Sequence, residues 1–480
     1  MNKKILINIL AVSLLISVTG CDDYLNNVPK GMTIPQYMED YQKLLNSQSL
    51  INASDGMLDY LTDNIHLLDK NATASYYIYI NKDESVRNLY SFKPGQVYVE
   101  GTKDYIWNNA YERLFTLNTV INEVMDSKGG SEEAKLRIKA EALFGRAYEY
   151  YNLVNTYAKQ YNSQTANKDL GIPYLTEADI NQKYQRHTVA EVYEKMLADL
   201  DEAASHIPDI TANRAHPNKA ALYSFYAKIY LTMGDYTKAL KYANDALALN
   251  SALLNLNNYD KAEGTTWGRV YKKGNPSERL PDINHPEANY VKWLSGSLQG
   301  SVMLSSEMRD LYKKDLNGAT DLRKEYFFAE NQVNLGGSTD YFPGECAFVL
   351  YANFNVGFTS TENYFIAAEC EARIGSKDKA MQLINTVRNN RMMNNEQLTA
   401  STKEEALIKV LEEKRREFCF KGPMRLFDLK RLNLESQFQK TITHTADGET
   451  FILPPNDVRY IMPVNKEILN FNPDFPVYER

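Results

Sequence analysis

The side chains with the most chemical potential in this 480-residue chain are aromatic rings set outside any helical repeat. Trp267, Tyr271, Tyr290, Trp293 and Tyr341 fall in one glycine-rich stretch, accompanied by Arg269, Asp282 and Asn289. Tyr76 and Tyr77 stand together much earlier. Sugar rings present apolar C–H faces and polar rims, which match flat aromatic platforms flanked by amide, carboxylate or guanidinium groups. These ten residues are the candidate ligand contacts. Two or three stacked rings, at about 0.5–1.5 kcal/mol each plus burial, correspond to weak affinity, roughly millimolar to tens of micromolar. For any single ring the competing reading is packing of a long loop against a scaffold.

Catalysis lacks comparable signals. No nucleophile stands beside a base, and no phosphate-binding glycine loop or nucleophile elbow is present. The six histidines (His66, His187, His206, His216, His285, His444) are scattered, with no pair at metal-ligand spacing. Acidic pairs such as Glu412 with Glu413, or Asp199 with Asp201, lie in helical segments beside basic residues and read as solvated faces. The sequence therefore points to a binding protein with no catalytic residue, metal site or cofactor. The formal charge of −7 becomes −9 without Lys3 and Lys4, and no basic cluster offsets it, which argues against nucleic acid as partner.

The elements that position these rings are helical. From Pro217 to Asn250, Leu222, Phe225, Tyr226, Ile229, Tyr230 and Met233 repeat three and four residues apart, Gly234 and Asp235 interrupt, and Tyr236, Ala239, Leu240, Ala243, Ala246 and Leu247 resume the spacing. The small residues and the Gly234 break resemble a tetratricopeptide unit. Ala368, Gly375 and Ala380 echo the spacing in a second hairpin, about 361–392. One such unit cannot bury its outer faces alone, so the chain is predicted to be an all-α dominated repeat scaffold. An irregular insertion, about 251–360, interrupts it and holds ten of the 23 glycines. Such insertions in rigid frames commonly carry function.

Further helices are predicted from a Thr33/Gln36 capping box over 34–45, from Asp104 to Met125, from Ser131 to Tyr161, and from a Thr188/Glu191 cap to Ile207. Thr359/Glu362 and Thr402/Glu405 open two more, the last ending near Phe420. Trp107 lies on an apolar stripe and reads as core. Residues 51–100 read as surface loop, and the proline-rich stretch after His444 as an irregular tail over the scaffold. Cys346, Cys370 and Cys419 have no paired spacing, and Cys370 and Cys419, within helix-periodic segments, read as small buried hydrophobes.

At the amino terminus Lys3 and Lys4 precede an apolar run, Ile5 to Val18, too short to span a bilayer and typical of a secretory leader. It ends Val18, Thr19, Gly20, Cys21, which looks like a bacterial lipobox with Cys21 as the lipidated first residue. Residues 1–20 are then a signal peptide, 21–32 a tether broken by Pro29 and Gly31, and 33–480 the folded body. Two or more acyl chains suffice for stable anchoring, because each buried CH₂ contributes about 0.8 kcal/mol.

Several of these segments, in order, resemble the SusD/RagB-like family of cell-surface nutrient-binding lipoproteins of Bacteroidota. Asp23, Tyr24 and Leu25 follow the lipobox; Trp107 to Asn118, Glu141 to Tyr151, Gly171 to Tyr174 and Arg186 to Leu200 come next. The most specific block runs from Glu413 through Arg415, Arg416, Glu417, Phe418, Phe420, Gly422, Arg425, Phe427 and Asp428 to Arg431. It departs from the family at Lys421, where an acidic residue is common. Its arginines and Asp428 read as locking helix ends together. The resemblance implies an extracellular lid over a SusC-like TonB-dependent transporter in the outer membrane, with a glycan, or in some relatives a peptide, as cargo. A third reading is a structural repeat protein whose insertion binds only the transporter.

Overall fold

The computed structural model describes residues 35–53, 56–179, 181–182, 184–262, 270–281, 283–294, 298, 300–334, 337–349 and 354–480. Cys21, Trp267, Arg269 and Asp282 lie outside them. Helices of eight residues or more are α1 (Met38–Leu45), α2 (Tyr105–Glu123), α3 (Glu132–Tyr157), α4 (Val189–Ala204), α5 (Lys219–Met233), α6 (Tyr236–Leu249), α7 (Ser360–Ile374), α8 (Lys377–Asn389), α9 (Lys403–Glu417) and α10 (Met424–Leu432). They stack as antiparallel neighbours, α2 on α3, α3 on α4, α5 on α6 and α7 on α8, which is the helical repeat scaffold the hairpin patterns predict. None of the described helices is long and apolar enough to cross a membrane.

Capping chemistry starts these helices. Asp104 accepts hydrogen bonds from the amides of Ile106 and Trp107, each at 3.1 Å, opening α2, and Trp107 is core at 3 % exposure. Thr188 and Glu191 form the reciprocal capping box of α4, and Thr359 and Thr402 cap α7 and α9. The α1 expectation is corrected: the helix begins at Met38, with Tyr37 at the cap and Asp40 bonding back to the amides of Gln36 and Tyr37. Gly234, at φ +81°, ends α5 in the left-handed conformation, so the amide of Asp235 reaches the Tyr230 carbonyl while its side chain caps α6. Gly375 is different. Its φ is ordinary, but a Cβ there would come within 2.0 Å of a Glu371 carboxylate oxygen that accepts from the Ser376 amide.

The two predicted hairpins, far apart in sequence, touch directly. Ala239 and Ala243 of α6, Ala227 and Leu231 of α5, and Ala367 and Cys370 of α7 form one buried seam, small enough for the helix axes to approach. The insertion leaves the scaffold after α6 and returns at α7. It is not irregular throughout: short strands pair within it, including Phe328–Asn334 with Thr339–Phe348, and Val270–Lys272 with both Tyr259–Lys261 and Asn275–Arg279. Its inner residues, among them Tyr290, Phe328, Phe348 and Phe358, belong to the main core formed by α3, α4 and α5.

Two further expectations fail. Residues 51–100 are not surface loop: Leu58, Leu61, Leu67, Leu89, Tyr90 and Phe92 are fully buried. They sit on a 3₁₀ turn (Gly56–Leu61), a two-residue strand and a seven-residue helix, too short to display a period. The stretch around His444 is a β-hairpin, Ile442–Ala446 with Glu449–Leu453. His444 is buried with its ring stacked on Tyr90 (4.2 Å) and Phe92 (4.6 Å), and its two nitrogens lie 2.8 Å from the carbonyl oxygens of Tyr90 and Thr62. The two misread segments meet at these rings, and both join the main core. Cys370 and Cys419 are buried free thiols, as expected, and Cys346 is one too.

Candidate functional site

Trp293 stands on a two-residue strand, Trp293–Leu294, held by parallel pairing with Asn52–Ala53 and by a bridge to Asn355 on its other side. Its half-buried ring lines a cleft between the insertion and the segments that follow α8 and α9. Phe327, Phe354, Phe418, Leu280 and Pro281 complete an apolar wall. The cleft encloses about 110 Å³, below the usual small-ligand range of about 300–1,000 Å³, and opens to solvent at its mouth, so it suits one ring of a longer ligand and not a whole buried molecule.

The polar end is built from residues scattered over the chain. Arg391, just past α8, donates from Nε to both oxygens of Glu417 (3.1 and 3.0 Å), from Nη2 to Glu287 (2.7 Å) and from Nη1 to the Leu254 carbonyl (2.6 Å). Glu287 also accepts from the Leu254 amide and from Thr361 Oγ1, each at 2.7 Å. Behind this layer Arg323 joins Glu417 (3.0 Å) to Glu413 (2.6 Å) and Asp321 (2.7 Å), and Glu413 also accepts from Arg388 (2.8 Å) and Arg416 (2.7 Å). Lys421 Nζ closes the front of the network, 3.3 Å from Glu417 Oε1.

Electrostatics fixes what these groups can do. Burial alone would push Glu287 and Glu417 up, but Arg391 beside both, joined by His285 and the Leu254 amide at Glu287 and by Lys421 and Arg323 at Glu417, outweighs it and holds each carboxyl below the usual range. General-acid work needs the opposite shift, and every carboxylate oxygen here already accepts a hydrogen bond, so this pair in a cleft is a structural floor. Burial lowers the His285 pKa. Its Nδ1 accepts from the Glu287 amide at 3.3 Å, which leaves the neutral ring's proton on Nε2. Among the described residues no group of three His, Cys, Asp or Glu side chains could hold a metal ion.

The remaining sequence candidates divide. Tyr76 (67 % exposed) and Tyr341 (57 %) present open rings, and their segments adjoin: Thr73 Oγ1 donates to the Tyr341 carbonyl at 2.9 Å, and Tyr77 packs on Phe342 at 5.5 Å. Tyr271 is half-buried on its strand. Three candidates are corrected. Tyr77 is 1 % exposed and packs on Phe342; Tyr290 is buried edge-on to Phe144 at 5.0 Å; and Asn289, fully buried, links Asn250 (2.8 Å) to Ser224 (2.9 Å). Rings with no free face cannot stack on a ligand. Phe327, Phe354, Phe418, His285, Arg391 and Lys421 escaped the sequence reading as cleft residues because they come from five separate segments. The Lys421 departure was the one available signal.

Residues 23–231 match the family described as "starch-binding associating with outer membrane", and residues 360–475 match the SusD family. The SusD-like protein P2 of Formosa agariphila is 32 % identical over 144 residues, 30 % of this chain but only 26 % of that protein's length. A SusD superfamily protein from Bacteroides thetaiotaomicron superposes with a TM-score of 0.66 at 20 % identity, covering 92 % of this chain and 100 % of the other. A SusD-like carbohydrate binding protein from Bacteroides vulgatus does so with 0.66 at 16 % identity, covering 92 % and 97 %. At such identities the likeness to solved structures is one of fold. Two matches to models of one family, over 23–231 and 360–475 in chain order, place this chain in the SusD/RagB family.

Proposed function

We propose that the protein is a surface-exposed, lipid-anchored outer-membrane protein that binds nutrient glycan and delivers it to a SusC-like TonB-dependent transporter. The observation that carries the binding half is the Trp293 cleft: an aromatic wall facing a rigid, already satisfied ionic floor. That arrangement suits a sugar ring, whose apolar face stacks while its hydroxyls meet fixed polar groups. The lipobox-like run into Cys21 supports the anchor, and family membership supports the transporter partner.

Isothermal titration of the purified protein against a panel of oligosaccharides and a peptide pool tests the cargo. Heat with glycans, lost in Trp293→Ala, is the expected result. Heat with peptides alone transfers the site to the peptide reading, and no heat with either leaves only a role in contacting the transporter. For the anchor, Cys21→Ser is expected to shift the protein from the membrane fraction to the soluble one and to abolish acyl labelling. Unchanged attachment would remove the lipid from the account.

A further inference from the structure

The cleft has a charge and hydrogen-bond imbalance that bears on which glycan it takes, an inference resting on the glycan reading. Among the described residues, the ion network at its polar end connects five cationic side chains with four carboxylates, one net positive charge. That excess sits at the mouth. The Lys421 side chain is 23 % exposed, against 7 % or less for the other eight groups. Its ammonium makes a single 3.3 Å bond to Glu417 among the described residues, leaving two of its three N–H donors for a ligand.

The neutral groups lean the same way. His285 Nδ1 is occupied by the Glu287 amide, so Nε2–H is the end left to face a ligand. Asn355 Oδ1 already accepts from the amides of Lys292 (2.9 Å) and Gly357 (2.8 Å), and Thr359 Oγ1 accepts from the Glu362 amide at 3.1 Å, leaving its hydroxyl proton to give. Glu287 and Glu417 are saturated by Arg391, Arg323, Thr361 and Lys421. Among the described residues the cleft thus offers a cation and several free donors, while most of its side-chain acceptor sites are already taken. The hydroxyl protons of a neutral sugar find few protein acceptors here, whereas an anion brings acceptors only and matches the donors and the cation.

We propose that the Trp293 cleft selects glycans bearing an anionic substituent, a uronate carboxylate or a sulfate ester, with the ring on the aromatic wall and the anion at Lys421 and His285. A charge-assisted bond is roughly twice as strong as a neutral one, which sets the expected preference at about tenfold.

The test is titration of the full-length protein in detergent with uronate trisaccharides of differing linkage, each beside its carboxyl-reduced twin. Sulfated oligosaccharides beside their desulfated twins form the second arm, and the arm that binds identifies the anion. The expected result is that an acidic member binds about tenfold tighter than its neutral twin, that added salt narrows the gap, that Lys421→Met closes it and that Lys421→Arg largely restores it. Glu417 keeps Arg391 and Arg323 in Lys421→Met; should that variant melt early, the wild-type twin comparison and its salt dependence still decide. Neutral twins binding as well as acidic ones, or a preference that survives Lys421→Met, overturns the inference while leaving glycan binding intact. No binding by any member, with Trp293→Ala indistinguishable from wild type, overturns both.

Discussion

Tyr290 and Trp293 lie three residues apart and have opposite fates. Tyr290 faces Phe144 in the main core, whereas Trp293 keeps one side toward the cleft. Tyr290→Ala is expected to destabilise the fold by about 3–5 kcal/mol, because a large ring is removed from a packed site; urea denaturation measures it. Trp293→Ala acts mainly on affinity, about tenfold for a stacked ring with its burial. Exposed Tyr76 and Tyr341 make a third case. Replacing both with Ala is expected to change stability by no more than about 0.5 kcal/mol, since neither ring is packed. Affinity for long oligosaccharides should still fall, and a chain-length series by titration reads the difference. If short and long chains lose nothing, those two rings are not ligand contacts.

Among the elements, α4 and α7 show how far local chemistry reaches. Both begin where a threonine side chain meets an amide three residues on, and both were readable from the sequence. Thr188→Ala is expected to lose about 1 kcal/mol by unpairing the α4 terminus, with Thr188→Ser losing much less. Thermal melting of the two variants separates the capping role from packing of the threonine methyl. The short elements of 51–100 escaped because two to seven residues cannot display a hydrophobic period. The hairpin at Ile442–Ala446 escaped because His444, a polar residue, is what docks it, stacked between two rings. Polar core residues carry no periodic signal.

At the scale of the molecule, the ion network behind the cleft ties the insertion to α8 and α9 and makes stability depend on acid. Burial would push Glu413 up, but Arg323, Arg416 and Arg388 around it outweigh that and hold it at about 2, below the ordinary carboxylate value. A depressed folded-state pKa contributes stability that is complete above the unfolded value, near 4.5, and is lost as pH falls toward 2. Glu417 and Asp428 are held lower for the same reason and add to the slope. Denaturation midpoints should therefore be flat from pH 7 to about 5 and fall steeply below about 4.5. Arg323→Met, which leaves buried Asp321 without its ion-pair partner and takes one cation from Glu413 and one from Glu417, is expected to cost about 3–5 kcal/mol at pH 7. A midpoint as high at pH 3 as at pH 7 would contradict the network's role.

Spacing and side-chain type along the chain determined the helical hairpins, their caps, the core position of Trp107 and the family, because each depends on residues within one or two turns of one another. The arginines and Asp428 of the Glu413–Arg431 block read correctly as a lock between elements, whereas Glu413 and Asp199, read as solvated faces, are buried in ion pairs with arginines from other segments. Tertiary structure decided which rings a ligand can reach. Tyr77 and Asn289 face inward, Trp293 faces a cleft, and that cleft is closed by Phe327, Phe418, His285 and Lys421 from distant segments. Exposure and convergence are properties of how separated segments pack, and no local pattern in the sequence encodes them.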